Sequence, residues 1–260
     1  MFNSLGIVEF PFGGFRDAVD ENAVALGRRK FGGKSLLEWV VRRVTDSQRL
    51  DGVVVVVRNQ SQQRIPLEQI PPDVPIHVAK QSDPLACFGA ALHQYPAKSI
   101  VRVSVDSPFV DPFLIDRLVN ASESHPECDY ISFRFGDGRP VIQSRLGVVA
   151  EWCRSSAIIR ADREATDRRD REDVTRYLYS HPEIFSLRLL PVPTELDRDD
   201  LRLTIDVDED FENAQEIYEA LGPESLDWQR IAGLLDQQPA IRERMAYLNR
   251  RRTASGLASE

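Results

Sequence analysis

Five consecutive valines, Val53 to Val57 between Gly52 and Arg58, constrain this chain more than any other stretch. β-Branched side chains favour a strand, and a strand apolar at both parities needs a covering layer on each face. Such strands belong inside a parallel sheet flanked by helices. Ile100, Val101, Val103 and Val105 repeat the pattern before Asp106, and Pro108 and Pro112 forbid its continuation. In an open α/β sheet, ligands bind just beyond the carboxyl ends of the strands. A carboxylate at that point is therefore a candidate to hold a metal and a phosphate, with a turn cap as its competing role.

The remaining segments fit the same plan. Leu5–Phe10 reads as a first strand, followed by a long polar loop to Lys30; unstructured loops of that length are often functional. Gly32-Gly33-Lys34-Ser35 opens a helix carrying Leu36, Leu37, Val40, Val41 and Val44 at helical spacing. It is not a P-loop, because GxxxxGK[ST] needs glycine at position 28, which is Arg28. Ile76–Ala79 is a short strand, and Ser82-Asp83-Pro84 has the form of a helix start. A further helix begins at Pro112. Three βα units in succession predict an α/β, doubly wound, largely parallel sheet with right-handed crossovers.

Tyr130–Phe135, Gly136-Asp-Gly138 and Arg139–Ser144 predict a hairpin, a small antiparallel extension at about 129–145, with a helix from Leu146 to Ile159. The charged run Arg160–Arg176 predicts a solvated helix or loop leading to a helical segment stopped by Pro182. Phe185–Leu190 and Leu201–Ile205 predict strands. The second ends in Asp206-Val-Asp-Glu-Asp-Phe211, a second acidic strand end, where Asp208 is a plausible cap for a helix carrying Phe211, Ala214, Ile217 and Tyr218. The main domain is expected over 1–222. Packing helices and a frayed tail from Arg250 are expected over 223–260.

The 260 residues are 42% hydrophobic and carry a net charge of -8, which argues against holding a nucleic-acid backbone by overall charge. Cys87, Cys128 and Cys153 are odd in number, lack CxxC spacing and lie in apolar segments, so they read as reduced core thiols. No stretch has the length of a signal peptide or a membrane span. A cytoplasmic protein is expected, with no nucleic-acid or membrane partner.

Three stretches resemble the cytidylyltransferases that activate acidic sugars as CMP-sugars, within them the SpsF type of spore coat polysaccharide biosynthesis protein. They are Val101-Arg-Val-Ser-Val-Asp-Ser-Pro-Phe-Val-Asp-Pro112, Arg171-Glu-Asp-Val-Thr-Arg-Tyr-Leu-Tyr-Ser-His-Pro-Glu183 and Leu201-Arg-Leu-Thr-Ile-Asp-Val-Asp-Glu-Asp-Phe211. With Gly32–Glu38 they cover about positions 30–220 in the family's order. The resemblance implies a nucleotide-binding fold like that of the GT-A and nucleotide-diphospho-sugar transferases, often dimeric, so a homodimer is expected. It implies CTP and an acidic sugar as substrates and Mg2+ as cofactor, with Asp106 and Asp206 as the catalytic, metal-binding aspartates. Candidate nucleotide- and phosphate-binding residues are Arg16, Arg28, Arg29, Lys30, Lys34 and Asp83.

The chain also departs from the family's pattern. It lacks the Arg-Leu-Pro-Gly-Lys phosphate element between Phe10 and Gly32, and Asp83–Phe88 lacks the arginine of the family's Asp-Val-Leu-Xaa-Arg. Glu9 puts an acid at the end of the first strand, where it would oppose a triphosphate. His181, Asp170, Glu172 and Asp173 are weaker candidates for the sugar side. Two other readings follow: a non-catalytic nucleotide- or sugar-binding relative, and a GT-A glycosyltransferase using Asp206-Val-Asp208 as its DxD motif.

Overall fold

The computed structural model describes residues 1–10, 21–58 and 70–256, the side chains of 21–24 and 252–256 aside. Its centre is a seven-stranded sheet in the order β5-β4-β1-β6-β8-β7-β9. The first four of these are β1 (Phe2–Glu9), β4 (Gly52–Arg58), β5 (Ile76–Ala79) and β6 (Ala97–Ser104), all parallel. The chain order reverses beside β1, which makes the carboxyl ends of β1 and β6 the switch point of the sheet. Next to β6 lies antiparallel β8 (Glu151–Arg154), then β7 (Tyr130–Arg134), which pairs in parallel with β9 (Leu187–Pro191).

The five valines divide between the two faces. Val53, Val55 and Val57 join the core under α2 (Leu36–Thr45), α4 (Pro112–Ser124), α8 (Asp208–Leu221), α9 (Trp228–Gln237) and α10 (Pro239–Gly256). Val54 and Val56 join the core under α3 (Pro84–Gln94), α5 (Ser155–Glu164) and α7 (Arg176–Ser180). Each fully buried side chain of this size contributes about 1.5–3 kcal/mol, so the run secures both layers. No helix among the described residues is long and apolar enough to cross a membrane.

Several expectations change. Part of the expected loop to Lys30 is helix α1 (Glu21–Arg28); a Cβ on Gly27 would lie 2.3 Å from the Phe10 ring, so the helix seats there without a long apolar stripe. Positions 11–20 of that loop lie outside the described residues. Before α2, the hairpin of β2 (Lys30–Phe31) and β3 (Lys34–Ser35) turns through Gly32 and Gly33, both at positive φ, and Ser35 caps α2 by accepting from the Glu38 N–H at 3.1 Å. The expected second limb at 139–144 makes one bridge, Arg134 with Pro140, before a 3-10 turn at Val141–Gln143. The antiparallel element is β8, within the stretch expected to be helical. Its short apolar run fits either period, and Gly147 at φ +66 excludes a continuous helix. Leu201–Ile205 is buried but joins no ladder, and of the expected tail Arg250–Gly256 continues α10 while 257–260 lie outside the described residues.

Candidate active site

β6 delivers Asp106 to the switch point. The Val105 N–H still donates to the Glu9 carbonyl at 3.1 Å, so the pairing with β1 outlasts the strand by one residue before the turn. That turn is held from α2: Trp39 Nε1 donates to the Pro108 carbonyl and Arg43 Nε to the Val110 carbonyl, both at 2.8 Å. Asp111 caps α4 through the Phe113 and Leu114 amides and also accepts from the Trp228 N–H at 3.0 Å, tying α9 to the same loop. Burial pushes its carboxyl upward against those three amides. Asp106 accepts from the Ser107 hydroxyl at 3.0 Å, and among the described residues no cation pairs with it.

The segment before α8 brings up the second aspartate. Leu203 and Thr204 donate their N–H groups to the Arg145 carbonyl, and Ile205 donates to the Asp106 carbonyl at 2.8 Å. Asp206 follows directly. This approach requires glycine at 147, where a Cβ would lie 2.6 Å from the Leu203 carbonyl carbon and the Thr204 nitrogen. Arg145 Nε lies 2.9 Å and Arg202 Nη2 3.0 Å from Asp206 Oδ2. Arg202 is locked by a buried bidentate pair with Asp210, at 2.6 and 2.8 Å, and Asp210 also accepts the Asp206 and Val207 amides. Asp210, at the third position of α8, therefore does the capping that Asp208 was expected to do. Burial raises the Asp206 carboxyl; Arg145 and Arg202 oppose the rise, and Asp106 adds to it.

A cavity of about 200 Å³ opens beside these residues, lined by Asp106, Arg145 and Thr204, with Arg102, Glu151 and Asp173 along its wall. Arg102 donates to Glu9 at 2.6 Å and to Glu151 at 2.7 Å. Tyr130 and Thr175 hydroxyls also donate to Glu151, at 2.6 and 2.7 Å, and Tyr179 donates to Asp173 at 2.9 Å. Burial raises the Glu9 carboxyl and Arg102 opposes the rise. Burial likewise works against the Arg102 charge, but Glu9, Glu151 and Asp173 more than offset it. The misplaced acid is thus neutralised by an arginine one strand away.

Among the expected binding residues, Arg16 lies outside the described residues. Arg28, Lys30 and Lys34 are exposed and do not line the cavity. Arg29 pairs with Asp208 and stacks 3.7 Å above the Phe211 ring, which stations it at the start of α8, near Asp206. Asp83 instead caps α3 through the Ala86 N–H, and a guanidinium reaches it from Arg171 at 3.1 Å, in α6 (Arg168–Glu172). Asp170 pairs with Arg176, Glu172 with Arg168, and His181 bonds the Tyr177 carbonyl; of those four only Asp173 reaches the cavity. Arg145, Arg202 and Arg102 escaped the sequence reading. An arginine inside an apolar strand was a visible signal for Arg102, whereas Arg145 had none.

Among the described residues no group of three or more His, Cys, Asp or Glu forms a metal cage. Asp106, with no cation paired to it among the described residues, and Asp206, whose carboxyl feels the Asp106 charge, are the groups that would hold Mg2+, which keeps several waters and takes one or two carboxylates together with substrate phosphates.

Known proteins resemble this chain in sequence and in fold. The model of the MobA-like NTP transferase domain matches residues 27–203. An uncharacterized protein of Methanocaldococcus jannaschii is 28% identical over 214 residues, 82% of this chain and 84% of its own. The spore coat polysaccharide biosynthesis protein SpsF of Bacillus subtilis is 29% identical over 150 residues, 56% of this chain and 59% of its own. Among solved structures, a cytidylyltransferase from Leptospira borgpetersenii superposes with a TM-score of 0.74 at 19% identity, covering 92% of this chain and 95% of that one. A CMP:2-keto-3-deoxy-manno-octonic acid synthetase complexed with CTP gives 0.61 at 9% identity, covering 84% and 99%. The family match spans β4 to β9, including β6 and the loop that carries Arg145, so the chain belongs to the MobA-like NTP transferase domain family and is a nucleotidyltransferase.

Proposed function

We propose that this protein transfers CMP from CTP to an acidic sugar in the cytoplasm, for a surface polysaccharide, with Mg2+ at Asp106 and Asp206. The observation that carries the reading is the hydrogen bond from the Ile205 N–H to the Asp106 carbonyl, by which the segment leading to Asp206 meets the end of β6 at the switch point. The likeness to a cytidylyltransferase, to a CMP:2-keto-3-deoxy-manno-octonic acid synthetase that binds CTP and to SpsF supports the nucleotide and the class of sugar. In the reaction a sugar hydroxyl attacks the α-phosphate of CTP in line, and the bond to pyrophosphate breaks. The protein's part is positioning and charge compensation rather than covalent work. Asp106 and Asp206 would hold the metal, which would supply neutralisation of the phosphate charge. Arg145 and Arg202 hold Asp206 in place, and Arg102 keeps Glu9 from repelling the triphosphate.

The test is thermal unfolding with CTP, ATP, GTP and UTP, each with and without Mg2+. Ligand at about a hundred times its Kd adds roughly 2.7 kcal/mol, a rise of about 5–10 °C for a chain of this size. A magnesium-dependent rise with CTP alone, abolished in Asp106→Asn, is the expected result, followed by pyrophosphate release with acidic sugars. No rise with any nucleotide would overturn the reading. Asp208→Asn is expected to keep the rise, because Asp208 is exposed and paired with Arg29. Equal loss in that variant would favour the DxD reading of Asp206 and Asp208.

A further inference from the structure

A second and larger cavity, about 670 Å³, lies between the loop carrying Arg145, the Arg198–Arg202 segment and α10. Its volume falls within the roughly 300–1,000 Å³ of small-molecule sites, whereas the cavity at Asp106 falls below that range. Five guanidinium groups line it, those of Arg139, Arg145, Arg198, Arg202 and Arg250, against two carboxylates, Asp199 and Asp200. This is unexpected in a chain of net charge -8.

Three of the arginines are held by ion pairs. Arg139 pairs with Asp137 and Asp199, both at 2.6 Å, Arg198 with Asp200 at 2.6 Å and Asp236 at 2.7 Å, and Arg202 with Asp210 at 2.6 Å; of these aspartates only Asp199 and Asp200 line the cavity. Fixed planar donors of this kind bind carboxylate or phosphate with little ordering cost. Arg250, exposed on α10, has no ion-pair partner among the described residues. The neighbouring Gln143 adds polar atoms suited to hydroxyl groups.

We propose that this cavity is a second binding site, for a small polyhydroxylated anion carrying a carboxylate or a phosphate, and that Arg145 couples its occupation to Asp206. Arg145 lines both cavities, and its guanidinium shares Asp206 Oδ2 with Arg202. An anion in the large cavity competes with Asp206 for Arg145. Drawing Arg145 away leaves Asp206 more available to a metal, and by reciprocity a metal at Asp206 tightens the anion. The coupling, though not the site, rests on the metal reading of Asp206.

The experiment is calorimetric titration of the full chain with glucuronate, glucose 6-phosphate and glucose. Binding of one of the two anions, absent with glucose, weakened at least tenfold in Arg250→Ala and Arg250→Glu and unchanged in Asp106→Asn, is the expected result, and which anion binds identifies the charged group. No binding of either anion, equal affinity in both Arg250 variants, or loss in Asp106→Asn would overturn the site. Mn2+ is expected to tighten the anion several-fold in the wild type and not in Arg145→Gln, and equal affinity with and without the metal would overturn the coupling. A failed CTP reading leaves the titration without metal unaffected, so the two proposals stand or fall separately.

Discussion

Arg102 is the most exacting point at which to test this structure, because one guanidinium stands between the buried carboxylates of Glu9 and Glu151. Arg102→Met keeps much of the volume and removes the charge. Taking one partner from a buried ion pair costs about 3–5 kcal/mol, a fifth or more of the roughly 5–15 kcal/mol that holds a domain together. At about 2–4 °C per kcal/mol the midpoint should fall by about 6–20 °C. The loss should depend on pH. Burial has already raised the folded-state pKa of Glu9, and Arg102 is the group that lowers it. Between the ordinary carboxylate range and that raised value, the folded state binds more protons than the unfolded one, so stability falls as pH rises through the window. Removing Arg102 raises the folded pKa further, and the deficit is therefore greatest at neutral pH and smaller near about pH 5. Urea unfolding of wild type and variant at both pH values measures this. A deficit under about 1 kcal/mol at neutral pH, or one that does not shrink on acidification, would refute the argument that this network is charged and buried.

Two further substitutions test the scaffold of the site. Gly147→Ala places a Cβ against the Leu203–Thr204 backbone at a positive φ, and a loss of about 1–3 kcal/mol in urea unfolding is expected from the strain alone; an unchanged midpoint would mean that the segment ending at Asp206 is not held against this loop. Asp111→Ala removes the cap of α4 and the acceptor of the Trp228 N–H, with an expected loss of about 2–4 kcal/mol by the same assay. Asp111→Asn, which keeps one acceptor oxygen, should lose less, and equal losses would show that the hydrogen bonds are not what Asp111 contributes.

The sequence by itself determined the elements whose cause is local. The valines of β4, the proline and aspartate that start α3 and the strand running into Asp106 each report their own environment, because burial on two faces and backbone capping leave a pattern within a few residues. The acidic end at 106 was legible for the same reason, whereas the segment before 206 carries a strand's pattern and joins no ladder. Partners distant in the chain were not legible. Tertiary structure decided that Arg102 cancels Glu9, that Arg145 and Arg202 share Asp206, and that Asp83 is met by Arg171. Tertiary structure also decided that Leu146–Ile159 splits into a strand and a helix, since its apolar run fits both periods and only the open place between β6 and β7 selects one. An ion pair has no periodicity: its energy depends on distance and burial, and neither exists until the chain has folded.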